Sequence, residues 1–132
     1  MNDRAKIEYV KYRIDTAKKT FEAAELLAKN GFWNSAVNRL YYSLFYAVNA
    51  LLVMNDKHTK SHSSTKSLFS QYFVKTKKID KKYGRLFSEL FDWRQKGDYD
   101  NIYDYDENSV MPLFKPVNEM INLIKKEIEK QL

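Results

Sequence analysis

Cysteine is missing from this chain altogether, and with it go disulfide bridges, thiolate nucleophiles and Cys-based zinc sites; the absence also suits a reducing compartment. Glycine and proline are nearly missing as well. Three glycines and two prolines, at positions 31, 84, 97, 112 and 116, are all the punctuation that 132 residues carry. A β-sandwich needs turn signals roughly every ten residues, so the sequence excludes one. No apolar run reaches the ~18 residues of a membrane span. The first residues, MNDRAKIEYVKY, are charged and periodic and do not read as a secretory leader. The expectation is an all-α protein, soluble and cytoplasmic, with no membrane segment and one domain over residues 1–132.

What the chain has in excess is positive charge, unevenly placed. Residues 1–56 carry 8 basic and 6 acidic groups, 57–96 carry 11 and 3, 97–107 carry 0 and 5, and 108–132 carry 4 and 3, for a net charge of +6. A basic middle attracts phosphate backbones. Lysine-rich helix faces are also ordinary solvated surface, and the acidic block that follows is placed to neutralise this one. The candidates for a polyanion-binding patch are Lys75, Lys77, Lys78, Lys81, Lys82 and Arg85.

Apolar periodicity gives the elements. Ile7, Val10, Ile14, Ala17, Phe21, Ala24 and Ala28 alternate steps of three and four and define one helical stripe, which Asn30-Gly31 ends. The segment FWNSAVNRLYYSLFYAVNALLVMN is apolar on most of its circumference and should be the central helix. DKHTKSHSS is a polar connector into a shorter helix, SLFSQYFVK, with Leu68, Phe69, Tyr72 and Phe73 inward. After KTKKID, a helix from about Asp80 carries Tyr83, Leu86, Phe87, Leu90 and Phe91 on one face. A last helix carries Val117, Ile121, Ile124 and Ile128, with Pro112 and Pro116 in or before its first turn. The fold expected is an antiparallel bundle of about five helices, four long and one shorter.

Arg94 continues the inward stripe of Tyr83, Phe87 and Leu90, which is an unusual place for a guanidinium. Gly97 is positioned to turn the backbone, and Asp98, four residues on, is an available ion-pair partner. Arg94 is then either half of a structural pair at the helix end or a phosphate contact. Asn38, Tyr42, Tyr46 and Asn49 form a second polar line beside Arg39, read as core tyrosines with wet hydroxyls or as a ligand or dimer surface. His58 and His62 stand four apart but lack a third ligand, so neither a metal site nor another cofactor is expected. Glycine-rich phosphate loops and strand-anchored nucleophiles are absent.

Taken in order, SAVNRLYYSLFYAVNALLV, KSHSS and FVKTKKIDKKYGRLFSELFDWRQKGDYD resemble the small stand-alone HEPN proteins (higher eukaryote and prokaryote nucleotide-binding). Arg39, Tyr41 and Tyr42 fall on that family's Arg-x-Tyr-Tyr helix, His62 on its Thr/Ser-His connector, and Arg94, Asp98 and Tyr99 on its closing Arg-x-x-x-Asp-Tyr. The resemblance implies an up-and-down helical bundle that commonly pairs with itself, and often a two-gene unit of toxin-antitoxin type with a minimal nucleotidyltransferase. It also implies metal-independent ribonuclease activity in members whose Arg is followed shortly by a His. Here positions 99 to 101 are Tyr, Asp and Asn, so the usual general acid/base is missing.

The function expected is therefore a non-catalytic or weakly catalytic HEPN module that binds a nucleotide, RNA or a minimal nucleotidyltransferase. Arg94, Asp98, Tyr99, Arg39 and Tyr42 are the expected contacts. The alternatives are an RNA-cleaving toxin that uses Arg94 with a displaced histidine, His62 being the candidate, and a purely structural interaction domain. A homodimer is expected because ten tyrosines and eight phenylalanines give more apolar surface than a five-helix monomer easily covers.

Overall fold

The computed structural model describes residues 2–99 and 104–132. The first stripe forms α1, Asp3–Lys29. Asn2 caps it by accepting the amide of Ala5 at 2.8 Å, and Val10, Ile14, Ala17, Thr20, Ala24 and Ala28 are its buried face. Gly31 then takes φ +79°, a left-handed turn that only glycine adopts without strain. α2 follows at once over Trp33–Met54. Thirteen of its 22 residues are buried, which makes it the central helix. It packs against α1 and against every helix that follows the connector.

The connector ends earlier than its composition suggests. Ser61 caps a helix α3, His62–Phe69, through a capping box with Ser64, so His62 opens the first turn. The helix widens into a π-turn over Ser70–Val74 and is stopped by Lys77 at φ 65°. α4 then runs over Lys81–Tyr99 with Leu86, Phe87, Leu90 and Arg94 buried. A single turn α5, Glu107–Val110, capped by Asp106, leads through a 3-10 turn containing Pro112 into α6, Phe114–Glu129. Pro116 sits in the first turn of α6, where its missing N–H costs nothing. Val117, Met120, Ile121, Ile124 and Ile128 face inward from α6.

Polar contacts give the directions. Asn34, at the start of α2, donates to the carbonyl of Gly97 at the end of α4, and Asn38 reaches Asp98, so α2 and α4 are antiparallel. The four long helices and the shorter α3 make the all-α bundle that the sequence predicts. Among the described residues there is no strand, and no helix is long and apolar enough to cross a membrane.

One expectation about α4 needs correction. Gly97 does not end the helix, which continues to Tyr99. Its role is steric: a Cβ there would lie 3.1 Å from the Tyr105 ring. That ring stacks on Trp93 at 4.8 Å and donates its hydroxyl to the Trp93 carbonyl at 2.9 Å. The glycine makes room for a returning tyrosine.

Candidate functional site

Three elements of the bundle, α2, α3 and α4, meet around Tyr41, a fully buried residue on α2. Its hydroxyl lies 2.6 Å from Nδ1 of His62. The capping box of α3 aims that imidazole inward, where it also lies 4.5 Å from the ring of Phe45 and 5.7 Å from that of Tyr42. From α4, Arg94 lays its guanidinium over Tyr41, Tyr42 and Phe91, at 5.0, 5.7 and 5.8 Å from the ring centroids. From α3, Lys66 places its ammonium 4.7 Å from the ring of Phe91. Sequence distance hides this cluster. His62 is 21 residues from Tyr41, and only the α2–α3–α4 packing joins them.

Arg94 is the anomaly of the site. It is only 7% exposed, and its Nε has no hydrogen-bond partner. The expected Arg94–Asp98 pair does not form. Asp98 instead accepts from Nδ2 of Asn38 at 2.8 Å, and Oδ1 of Asn38 accepts from Nε and Nη2 of Arg39 at 3.0 and 2.7 Å. The register explains it: Asp98 lies on the exposed side of α4 beside the start of α2, whereas Arg94 points into the seam between the helices. No ion pair reaches Arg94 among the described residues, so the Tyr41 hydroxyl and three aromatic faces are what meet its charge there. Cation–π contact offsets only part of the cost of burying an unpaired guanidinium.

The cluster perturbs its titratable members in a consistent direction. Burial pushes the Tyr41 hydroxyl well above the ordinary tyrosine range, with Arg94 pulling the other way. Desolvation, helped by the positive charge of Arg94, lowers His62 from the ordinary histidine value. At neutral pH the site therefore holds a neutral tyrosine, a neutral imidazole and the cations Arg94 and Lys66, neither in an ion pair among the described residues. Such a set donates hydrogen bonds, supplies positive charge and retains an imidazole able to take a proton.

The other predicted residues are placed as follows. Arg39 lies 5.0 Å from the centroid of Tyr42, on the flank of the cluster. Tyr99, 78% exposed, ends α4 outside it. His58 is exposed in the connector and does not share a helix with His62. Lys75, Lys77, Lys78, Lys81, Lys82 and Arg85 are all exposed. Lys78 lies over Phe73 and Lys82 over Tyr83. Among the described residues of the acidic block no ion pair reaches this patch; residues 100–103 of the block lie outside the described residues.

Three members of the site carry no motif of their own. Phe45 reads as plain core in the sequence. Lys66 becomes visible only once α3 is known to start at His62, which places it one turn further along the same face. Arg13, from α1, lies 5.1 Å from the ring of Tyr46 and donates Nε to the hydroxyl of Tyr9. Tyr9 in turn donates to Asn49, completing the second polar line of α2.

Comparison with known proteins finds relatives that match this chain over most of its length. The chain is 36% identical over 129 residues to a UPF0332 protein of Thermotoga maritima, covering 98% of this chain and 96% of that one. It is 33% identical to a Methanocaldococcus jannaschii protein named "Putative toxin MJ0142", covering 93% of this chain and 88% of the other. A second protein of that organism, "Putative toxin MJ0605", is 28% identical over 95% of this chain and 92% of its own length. The family model described as HEPN domain matches residues 10–128, nearly the whole bundle and every residue of the cluster, and the chain belongs to the HEPN family.

Proposed function

We propose that this chain is a HEPN module of the toxin-like kind that binds a phosphate of RNA or of a nucleotide at Arg94. The observation that carries the reading is the buried guanidinium with an unpartnered Nε and no ion pair to a carboxylate among the described residues. A phosphate oxygen supplies both the missing acceptor and the missing charge, and Arg binds it by geometry as well as by charge. Tyr41, Tyr42 and His62 shape the approach. Asp98 belongs to the support of Arg39 and the end of α4, not to the ligand. The toxin names of two relatives favour a two-gene setting with a minimal nucleotidyltransferase partner, and exposed Tyr12, Leu26 and Tyr99 favour a homodimer.

A second reading rests on the 2.6 Å contact between Tyr41 and His62, which brings an imidazole into the arginine's cluster from outside the usual motif. In the tautomer whose Nδ1–H is donated to the tyrosine oxygen, Nε2 is a free base. It would take the proton of an RNA 2′-hydroxyl. The 2′-oxygen then bonds to phosphorus, the bond to the 5′-oxygen breaks, and that oxygen is protonated from solvent. Arg94 stabilises the charge that gathers on the phosphoryl oxygens.

One experiment separates the readings. A labelled RNA is incubated in EDTA with wild type, Arg94→Ala and His62→Ala, with binding followed by fluorescence anisotropy and cleavage by gel. Phosphate binding predicts loss of anisotropy in Arg94→Ala and retention in His62→Ala. Cleavage by wild type that His62→Ala abolishes promotes the second reading. Equal binding by wild type and Arg94→Ala refutes the first reading, and cleavage that neither substitution changes refutes the second.

A further inference from the structure

A groove of about 580 Å³ runs between α4 and the α3–π-turn segment, with Lys66 on its wall. Lys66, Lys75, Lys81 and Arg85 line it, and no Asp or Glu does. None of the four cations takes part in an ion pair among the described residues, so their charges are not cancelled within the fold. The groove owes its shape to two local features. The π-turn over Ser70–Val74 displaces the backbone from regular helix. Gly84 lets α4 approach that turn, since a Cβ there would lie 3.1 Å from Val74 Cγ2.

We infer that this groove is a second phosphate-binding surface, continuous with the Arg94 cluster, and that the ligand is a strand of several nucleotides, not a mononucleotide. The inference rests on the reading of Arg94 as a phosphate contact. Lys66 makes the junction: it lines the groove, and its ammonium sits on the ring of Phe91, whose ring also lies under Arg94. Cations then continue from Arg94 through Lys66 to Lys75, Lys81 and Arg85. The rings behind the groove, Phe69 and Phe87, are fully buried and present no face for a base to stack on. The groove therefore follows the sugar-phosphate backbone and is indifferent to base sequence. The exposed basic residues of the patch divide accordingly. Lys75, Lys81 and Arg85 track the strand, while Lys77, Lys78 and Lys82 lie outside the groove.

The test uses anisotropy with two probes, fluorescent AMP and a labelled single-stranded oligonucleotide of about ten nucleotides, a length typical of single-strand sites. The proteins are wild type, Arg94→Ala and the triple variant Lys75→Ala/Lys81→Ala/Arg85→Ala. All three triple-variant positions are exposed, so the fold is expected to survive, and circular dichroism verifies it. The triple variant should lose roughly tenfold in oligonucleotide affinity at moderate salt. Its log–log salt slope should fall by about 2, three contacts at roughly 0.7 each, and AMP binding should be unchanged. Oligonucleotide binding with wild-type affinity and slope in the triple variant overturns the groove while leaving Arg94 as a mononucleotide site. If Arg94→Ala changes neither probe, the reading of Arg94 itself fails. A synthetic peptide of residues 97–107, the chain's own acidic segment, is the competing occupant. If it binds as tightly as the oligonucleotide and is lost equally in the triple variant, the groove is a protein-docking surface and the assignment to nucleic acid is overturned.

Discussion

Replacing Arg94 with Met should abolish phosphate binding without unfolding the protein. In the unliganded protein the arginine is only 7% exposed and its Nε has no partner. A buried donor left unsatisfied costs about 1–3 kcal/mol, and desolvating an unpaired charge costs several kcal/mol more. On the other side stand three ring contacts at 5.0, 5.7 and 5.8 Å. At about 1 kcal/mol each they return about 3 kcal/mol. The cost of burial outweighs what the rings return. Methionine keeps an unbranched stem of similar reach, removes the charge and places a polarizable sulfur among the same rings. Arg94→Met should therefore be as stable as wild type or more stable by about 1–2 kcal/mol, a rise in Tm of roughly 4–8 °C for a chain of this length. Ligand reverses the order. An oligonucleotide at a hundredfold excess over its Kd stabilises wild type by about 2.7 kcal/mol and the variant by none of the part that Arg94 supplies. Thermal melts followed by circular dichroism, with and without oligonucleotide, measure both effects. If Arg94→Met loses about 2 kcal/mol or more without ligand, and the oligonucleotide stabilises both proteins equally, the arginine is a structural residue and the reasoning is wrong.

Tyr41→Phe removes the 2.6 Å contact to His62 and should cost about 1 kcal/mol in urea denaturation; an unchanged midpoint would mean that the contact carries no net stability. His62 is lowered in the folded state, so the unfolded chain takes up its proton first as the pH falls. The contribution of His62 is thus fully present above the unfolded value of about 6.5 and is lost as the pH drops through 6.5 toward the lower folded value. His62→Asn should flatten the stability profile over that window, and identical profiles would rule out the effect. Asp98→Ala strips an exposed carboxylate from Asn38 and should cost under about 1 kcal/mol, whereas Phe87→Ala in the core should cost about 3–5 kcal/mol; chemical denaturation that ranks them the other way refutes the placement of Asp98. Light scattering should give a species of twice the 15.7 kDa chain mass, and a monomer alone at tens of micromolar would exclude the homodimer.

By itself the sequence determined the elements, because burying an apolar stripe against neighbours is a local and periodic demand. The steps of three and four from Ile7 to Ala28, the breaker-free run of α2 and the branched residues of α6 could hardly fold otherwise. The same periodicity singled out Arg94 as a charge on a core-facing line, and it is buried there. The partners were a different matter. Spacing four put Asp98 within reach of Arg94, yet contact depends on which side of α4 faces α2, and that packing gives Asp98 to Asn38. Gly97 read as a helix end because a glycine's usual local meaning is a turn; its actual reason, the ring of Tyr105, arrives from beyond the helix. His62 lay in a polar connector with no sign of its neighbours, and only the packing of α3 across α2 brings its imidazole to Tyr41 and under the influence of Arg94. Side-chain periodicity fixes which way a residue faces, but what it meets there is decided by helices that the chain brings together from far apart in sequence.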